Sequence, residues 1–139
     1  MKNTKMRGFT LVEMMVVVVI IGIIATVVAV NVGDRLEMAK VRLTKAAIVK
    51  LKGEVQLFKL DQNQYPEQLQ DLAHQPGYID AKKWPENGYV EEVPPDALEH
   101  PFRYANPGVR GPYDIVSLGA DGKEGGVGYN ADLWSHPPR

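Results

Sequence analysis

There is no cysteine anywhere in the 139 residues, which excludes a disulfide, a thiolate metal site and a cysteine nucleophile. There is no proline between Phe9 and Gln64, so nothing in that stretch forces a helix to break. There is no charge from Met14 to Val30, a run of 17 residues. A cationic surplus is missing too. The net charge is −1, and Lys2, Lys5 and Arg7 supply three of the positive charges, so a chain without residues 1–8 carries −4. A mildly acidic body is the wrong sign for nucleic acid, which calls for a basic face. With the apolar N-terminus set aside, about 105 residues remain, enough for one small domain.

What is present is concentrated at the N-terminus. A bilayer-spanning helix needs about 20 mostly apolar residues, and Phe9 to Val30 supplies 22, with Glu13 as its only charge. A secretory signal peptide has a shorter apolar core of about 7–15 residues and a small-residue cleavage site. Here the core is longer, and Ala29-Val30-Asn31 is a poor site. Cations lie on both sides, Lys2, Lys5 and Arg7 before the run and Arg35, Lys40, Arg42 and Lys45 after it. Because the positive-inside rule weakens for long translocated domains, an N-inside orientation is compatible with this pattern. A carboxylate costs about 2.5–3.5 kcal/mol near the bilayer centre and less near the interface. Glu13 therefore either sits at headgroup level or has a positive partner. A cut between Gly8 and Phe9 would create one, the new α-amine of its own or a neighbouring chain.

Lys5-Met6-Arg7-Gly8-Phe9-Thr10-Leu11-Val12-Glu13, followed by a Val/Ile-rich run, resembles the class III signal of type IV pilin-like proteins. In that family a prepilin peptidase cuts after the glycine on the cytoplasmic side and methylates the new N-terminal phenylalanine. The resemblance implies a leader of residues 1–8 ending at Gly8, an N-methylated Phe9, a transmembrane assembly helix over 9–30, Glu13 as the assembly carboxylate and a head over 31–139.

Beyond Val30 the pattern becomes one-sided. Leu36, Leu43, Ala47, Leu51, Val55 and Phe58 recur at helical spacing, with Arg35, Lys40, Lys45, Lys52 and Lys59 largely elsewhere. One helix running from Phe9 to Gln64 would be about 80 Å long at 1.5 Å per residue, with Gly22, Gly33 and Gly53 as weak points. Tyr65-Pro66 ends it, and Pro66 to Ala73 predicts a short second helix. Residues 76–112 are rich in Pro and Gly and read as loop. Pro101–Ala105 and Tyr113–Leu118 read as two strands joined by a turn at 106–112. The expected fold is α+β, a small antiparallel sheet laid on the helical stripe.

Gly119 to Asp132 combines five glycines with three acids and an asparagine. Ordering so flexible a loop is costly, and with no cysteine the alternatives are a solvated turn or a metal staple. Hard oxygen donors favour calcium. Asp121 and Asp132 are the candidate side-chain ligands, with the carbonyls of Leu118 and Lys123 completing the shell. The spacing is not that of an EF-hand.

Pro94-Pro95-Asp96, Pro101-Phe102-Arg103-Tyr104, Asn106-Pro107-Gly108, Tyr113-Asp114, Ser117 to Gly126 and Asn130-Ala131-Asp132 together are similar to the major pseudopilin (G subunit) family of type II secretion systems. That resemblance implies a calcium ion in the C-terminal loop. It also implies a homopolymeric periplasmic filament, minor pseudopilins as partners, and an inner-membrane platform with its cytoplasmic ATPase. A single-pass location in the bacterial inner membrane follows, with the N-terminus cytoplasmic and the head periplasmic. Ala97-Leu98-Glu99-His100 departs from the Pro-Trp-Gly-Asn or similar usual there, and Leu133 to Arg139 is also unusual.

His74, His100 and His136 stand in unlike contexts and read as solvated residues, with no nucleophile–base motif. The glycine-rich loop lacks the Gly-Lys-Ser/Thr ending of a phosphate loop. A structural filament subunit that helps push folded proteins across the outer membrane is the expected function. The alternatives are a type IV pilus subunit for adhesion, motility or DNA uptake, against which the missing C-terminal cysteine pair counts, and a membrane-anchored periplasmic enzyme.

Overall fold

The computed structural model describes residues 8–138. The chain divides into two units, residues 1–36 and 37–139, and helix α1 (Leu11–Gln62) contributes to both.

In the first unit α1 carries a span from Leu11 to Ala29 with mean hydropathy 2.9 and no residue of that span buried. The helix is apolar all round, which suits lipid or neighbouring apolar helices and not a one-sided protein core. Its hydroxyl is accommodated internally, since Thr26 Oγ1 donates to the Gly22 carbonyl at 2.9 Å.

In the second unit α1 buries Thr44, Ile48, Leu51, Val55 and Phe58. This corrects the stripe expected from sequence: Leu43 is 63% exposed and Leu36 56%. Steps of four, three, four and three from Thr44 keep to one face, whereas the seven-residue step from Leu36 to Leu43 falls on a different side. Leu51, Val55 and Phe58 belong to both patterns.

The sheet that covers this face has the order β1 (Arg103–Ala105), β2 (Asp114–Ser117) and β3 (Leu133–Trp134), antiparallel throughout. Arg103 faces Val116, Tyr104 faces Ile115 and Ala105 faces Asp114; Val116 also faces Trp134, and Ser117 faces Leu133. β2 is central and buried at all four positions, while β1 alternates as an edge strand does. Ile115, Tyr113 and Leu133 join Ile48, Leu51, Val55, Phe58, Leu69, Leu72 and Ile79 in one core. Each such apolar side chain contributes about 1.5–3 kcal/mol on burial.

After α1 the chain turns at Asn63, in the left-handed region at φ 59°, and its carbonyl accepts from Lys59 Nζ at 2.6 Å. The expected second helix is only a 3-10 turn, Leu69–Leu72. Buried Asp71 organises its start by accepting the backbone N–H groups of Glu67 and Gln68, each at 3.0 Å. A second 3-10 turn, Ala81–Lys83, interrupts the otherwise irregular segment from 76 to 102, and β1 occupies part of the remaining stretch read as loop. β3 was not anticipated from sequence; at two residues it is too short to show alternation.

Candidate functional site: the N-terminal segment and the C-terminal loop

Gly8 and Phe9 precede α1 and are exposed, Phe9 at 80%. Residues 1–7 of the expected leader lie outside the described residues. Thr10 and Glu13 then form a reciprocal cap. The Thr10 backbone N–H donates to Glu13 Oε2 at 2.7 Å, and the Glu13 N–H donates to Thr10 Oγ1 at 3.2 Å. The Thr10 hydroxyl also donates to Glu13 Oε2 at 3.1 Å. This is a capping box, Thr-x-x-Glu, whose role is to satisfy N–H groups that have no partner at a helix start. Sequence reasoning placed Glu13 at headgroup level or beside a positive partner and missed the cap, although the threonine three residues earlier was its signal.

The C-terminal loop is shaped by close backbone approaches. A Cβ on Gly119 would lie 2.4 Å from the Asn130 carbonyl oxygen, as would one on Gly126, and both glycines have positive φ. Ala120 N–H donates to the Tyr129 carbonyl at 3.0 Å and Asp132 N–H to the Gly125 carbonyl at 3.2 Å. Among the expected ligands, Asp121 is exposed and turns its Oδ1 onto the Lys123 N–H at 3.1 Å. Asp132 Oδ2 accepts from the Gly125 N–H at 3.0 Å. Its Oδ1 is buried and has no hydrogen-bond partner among the described residues. Leu118 is buried at the loop's entrance and Lys123 is exposed. Neither aspartate joins a cluster of three or more His, Cys, Asp or Glu side chains among the described residues. The fit to calcium therefore rests on one orphaned carboxylate oxygen in a glycine-rich turn, a donor of the hard type that calcium takes.

Two histidines expected in solvent are held in place. His100 Nδ1 lies 3.1 Å from the Gly119 carbonyl, and its ring borders Gly122. His136 Nδ1 lies 3.0 Å from Ser135 Oγ and 3.3 Å from Asp114 Oδ1. Serine, histidine and aspartate are thus together, but both partners use the same ring nitrogen. A hydrolytic relay uses the two nitrogens separately. The cluster instead latches the C-terminal segment to β2: Ile115 N–H donates to Ser135 Oγ and Ser135 N–H to the Ile115 carbonyl, each at 2.9 Å. Asp114 Oδ2 meanwhile accepts from the N–H groups of Val109 and Arg110 at 2.6 and 2.8 Å, pinning the turn between β1 and β2.

Residues 31–136 match the family described as type II secretion system protein G, and residues 3–29 match the prokaryotic N-terminal methylation motif. The chain belongs to the type II secretion system protein G family. It is 42% identical over 137 residues to type II secretion system core protein G of Pseudomonas aeruginosa, covering 96% of each chain. The protein of the same name from Vibrio cholerae is 38% identical over 135 residues, covering 95% of this chain and 92% of that one. The fold is similar to the crystal structure of the major pseudopilin of the type 2 secretion system of enterohaemorrhagic Escherichia coli. The TM-score is 0.62 at 24% identity, over 75% of this chain and 92% of that one. The methylation motif and the apolar helix together point to a membrane anchor.

Proposed function

We propose that this chain is a structural subunit that polymerises into the periplasmic pseudopilus of a type II secretion system and so drives export of folded proteins across the outer membrane. One observation carries the reading: a methylation motif at residues 3–29 runs directly into a protein G head at 31–136. Under this reading a prepilin peptidase removes residues 1–8 after Gly8 and methylates Phe9. Residues 9–30 anchor the subunit in the inner membrane with the N-terminus cytoplasmic, and 31–139 form the periplasmic head. The apolar helix then leaves lipid for a core of like helices, and Glu13 meets the α-amine of a neighbour as subunits add. Heterologous contacts that do not close generate such an open filament. Minor pseudopilins, the inner-membrane platform and its ATPase are the partners that the reading requires, and the role is mechanical, not enzymatic.

Calcium is proposed as the loop's staple, held by the side chains of Asp121 and Asp132 and the carbonyls of Leu118 and Lys123. The unpartnered Asp132 Oδ1 supports this. When bound, the ion supplies a divalent charge that offsets the two carboxylates and fixes the loop.

Mass spectrometry of the membrane-extracted chain tests the processing step. A protein beginning at a methylated Phe9 is expected, and an uncut Met1 would overturn it. Deleting the chromosomal copy then separates the two filament readings. Loss of exoprotein secretion supports the pseudopilus, whereas loss of adhesion, motility or DNA uptake with secretion intact supports a type IV pilus.

A further inference from the structure

The head carries two clefts on opposite flanks of α1, and they differ in charge. One, of about 590 Å³, lies between α1 and the C-terminal segment and is lined by Lys45, Lys52 and Arg110 with Ile48 and Trp134. Asp132 is its one acid. Arg110 stacks over the Trp134 ring at 3.9 Å, and Lys52 Nζ donates to the Ser135 carbonyl at 3.2 Å, so the cationic wall is held in place. The other cleft, of about 440 Å³, is lined by Glu54, Glu91 and Glu92 with Leu51 and Val90, and Lys50 is its one cation.

The clefts share no lining residue. Lys45 and Glu54 are nine residues apart, about two and a half helical turns, which sets them on opposite sides of α1. Among the described residues the ion pairs join Lys40 to Glu37, Arg103 to Glu124 and His136 to Asp114. Lys45, Glu54, Glu91 and Glu92 therefore have no ion-pair partner among the described residues.

We infer that the cationic cleft of one copy receives the acidic Glu91-Glu92 segment of a second copy. The two surfaces are complementary in charge, and each has an apolar floor, Ile48 in one and Leu51 in the other. Because they lie on opposite flanks of one helix, joining them cannot close a dimer. A joined pair still presents one free surface of each kind, so the contact propagates head to tail. Complementary charges of this kind fix register and exclude wrong partners more than they add affinity. The inference rests on the filament reading above, to which it adds the contact that sets neighbouring heads.

The native chain has no cysteine, so engineered thiols report contacts without background. Full-length Lys45→Cys/Glu92→Cys, oxidised in the membranes of cells assembling the system, should give a ladder of disulfide-linked multimers. Either single variant should give none longer than a dimer. In filament yield, Lys45→Glu alone should cost about fivefold, Lys45→Gln less, and Lys45→Glu with Glu92→Lys should recover most of the loss. Filaments that form normally without a ladder would overturn the contact, as would a double charge reversal no better than the single ones. A ladder replaced by cross-links to some other protein would overturn the second copy as occupant. A ladder without filaments would sink the filament reading and leave the contact standing; neither ladder nor filaments would remove both.

Discussion

Thr10 and Glu13 close on each other at the start of α1, with the threonine N–H on the Glu13 carboxylate at 2.7 Å and the glutamate N–H on the Thr10 hydroxyl at 3.2 Å. Both residues remain after a cut following Gly8, so a processed chain would keep a capped helix only two residues from its new end. Glu13 thus satisfies the helix N-terminus, a job separable from its proposed one of attracting a neighbour's amine.

Glu13→Gln separates them. A capping box accepts glutamine in place of glutamate at this position, so the helix start survives while the charge is lost. Filament assembly should fall sharply, with processing at Gly8 unchanged. Thr10→Val does the converse: it keeps the charge and loses the cap, at about 1 kcal/mol of helix stability. If Glu13→Gln assembles as well as the native chain, the carboxylate's charge has no role in assembly and Glu13 acts as a cap alone.

The long helix, the pair β1–β2 and their intervening turn were legible because each rests on local pattern: an uninterrupted apolar run, short runs rich in aromatic and β-branched residues, and a Pro/Gly cluster. The buried face of α1 was less so. Over a few turns, Leu43 and Thr44 compete as core positions, and hydrophobicity favours the wrong one. Thr44 wins because its hydroxyl accepts the Ala97 N–H at 3.1 Å, a partner 53 positions away that no local pattern reveals. The contact between Asp114 and His136, 22 positions apart, was hidden for the same reason. The consequence is measurable: Phe58→Ala should cost about 3–5 kcal/mol in chemical denaturation, and Leu43→Ala should stay within about 0.5 kcal/mol of native. Equal losses would contradict the observed face.

Glu99 shows what a departure from the family's usual residues does. It stands where that pattern has glycine, and its φ is 69°, in the left-handed region that costs a side-chain-bearing residue about 1–2 kcal/mol. The conformation is enforced on both sides. Asp96 Oδ1 takes the N–H groups of Leu98 and His100 at 2.9 and 2.8 Å, and the Asp96 carbonyl takes that of Glu99 at 3.1 Å. Glu99→Gly should therefore stabilise the head by about 1 kcal/mol, less than the full strain because glycine is freer when unfolded. A thermal melt shifted downward would show that the Glu99 side chain stabilises the fold in a way its exposed position does not suggest.

High pH should weaken the head. Burial of the Tyr78 hydroxyl end and its 2.6 Å bond to Asp71 raise its pKa above the ordinary phenol value, and burial does the same for Tyr104. For a group whose folded pKa is raised, the stabilisation is complete below the unfolded value, about pH 10 for tyrosine, and is lost as pH climbs through the folded value. Stability should hold steady up to about pH 10 and then decline, with the phenols ionising together with unfolding. Tyr104→Phe should flatten that decline. If the absorbance of these tyrosines titrates near pH 10 while the head remains folded, the account fails.

The two loop aspartates offer the last test, because the structure treats them unequally. Asp121 Oδ1 is exposed and already holds the Lys123 N–H, whereas Asp132 Oδ1 is buried and unpartnered. A bound divalent ion would relieve that second oxygen, and free calcium at a hundredfold above its dissociation constant would add about 2.7 kcal/mol of stability. A chelator should then lower the melting temperature of the native chain, and calcium should restore it. Asp132→Asn should abolish that response while Asp121→Asn weakens it, since only Asp132 has a buried oxygen without a partner among the described residues. Gly119→Ala, whose Cβ would meet the Asn130 carbonyl oxygen at 2.4 Å, should destabilise the loop with or without calcium. If the native melt ignores both chelator and calcium, no ion occupies the loop. Asp132 Oδ1 would then be a buried acceptor without a partner, and Asp132→Asn, by removing its charge, should stabilise the head instead of weakening it.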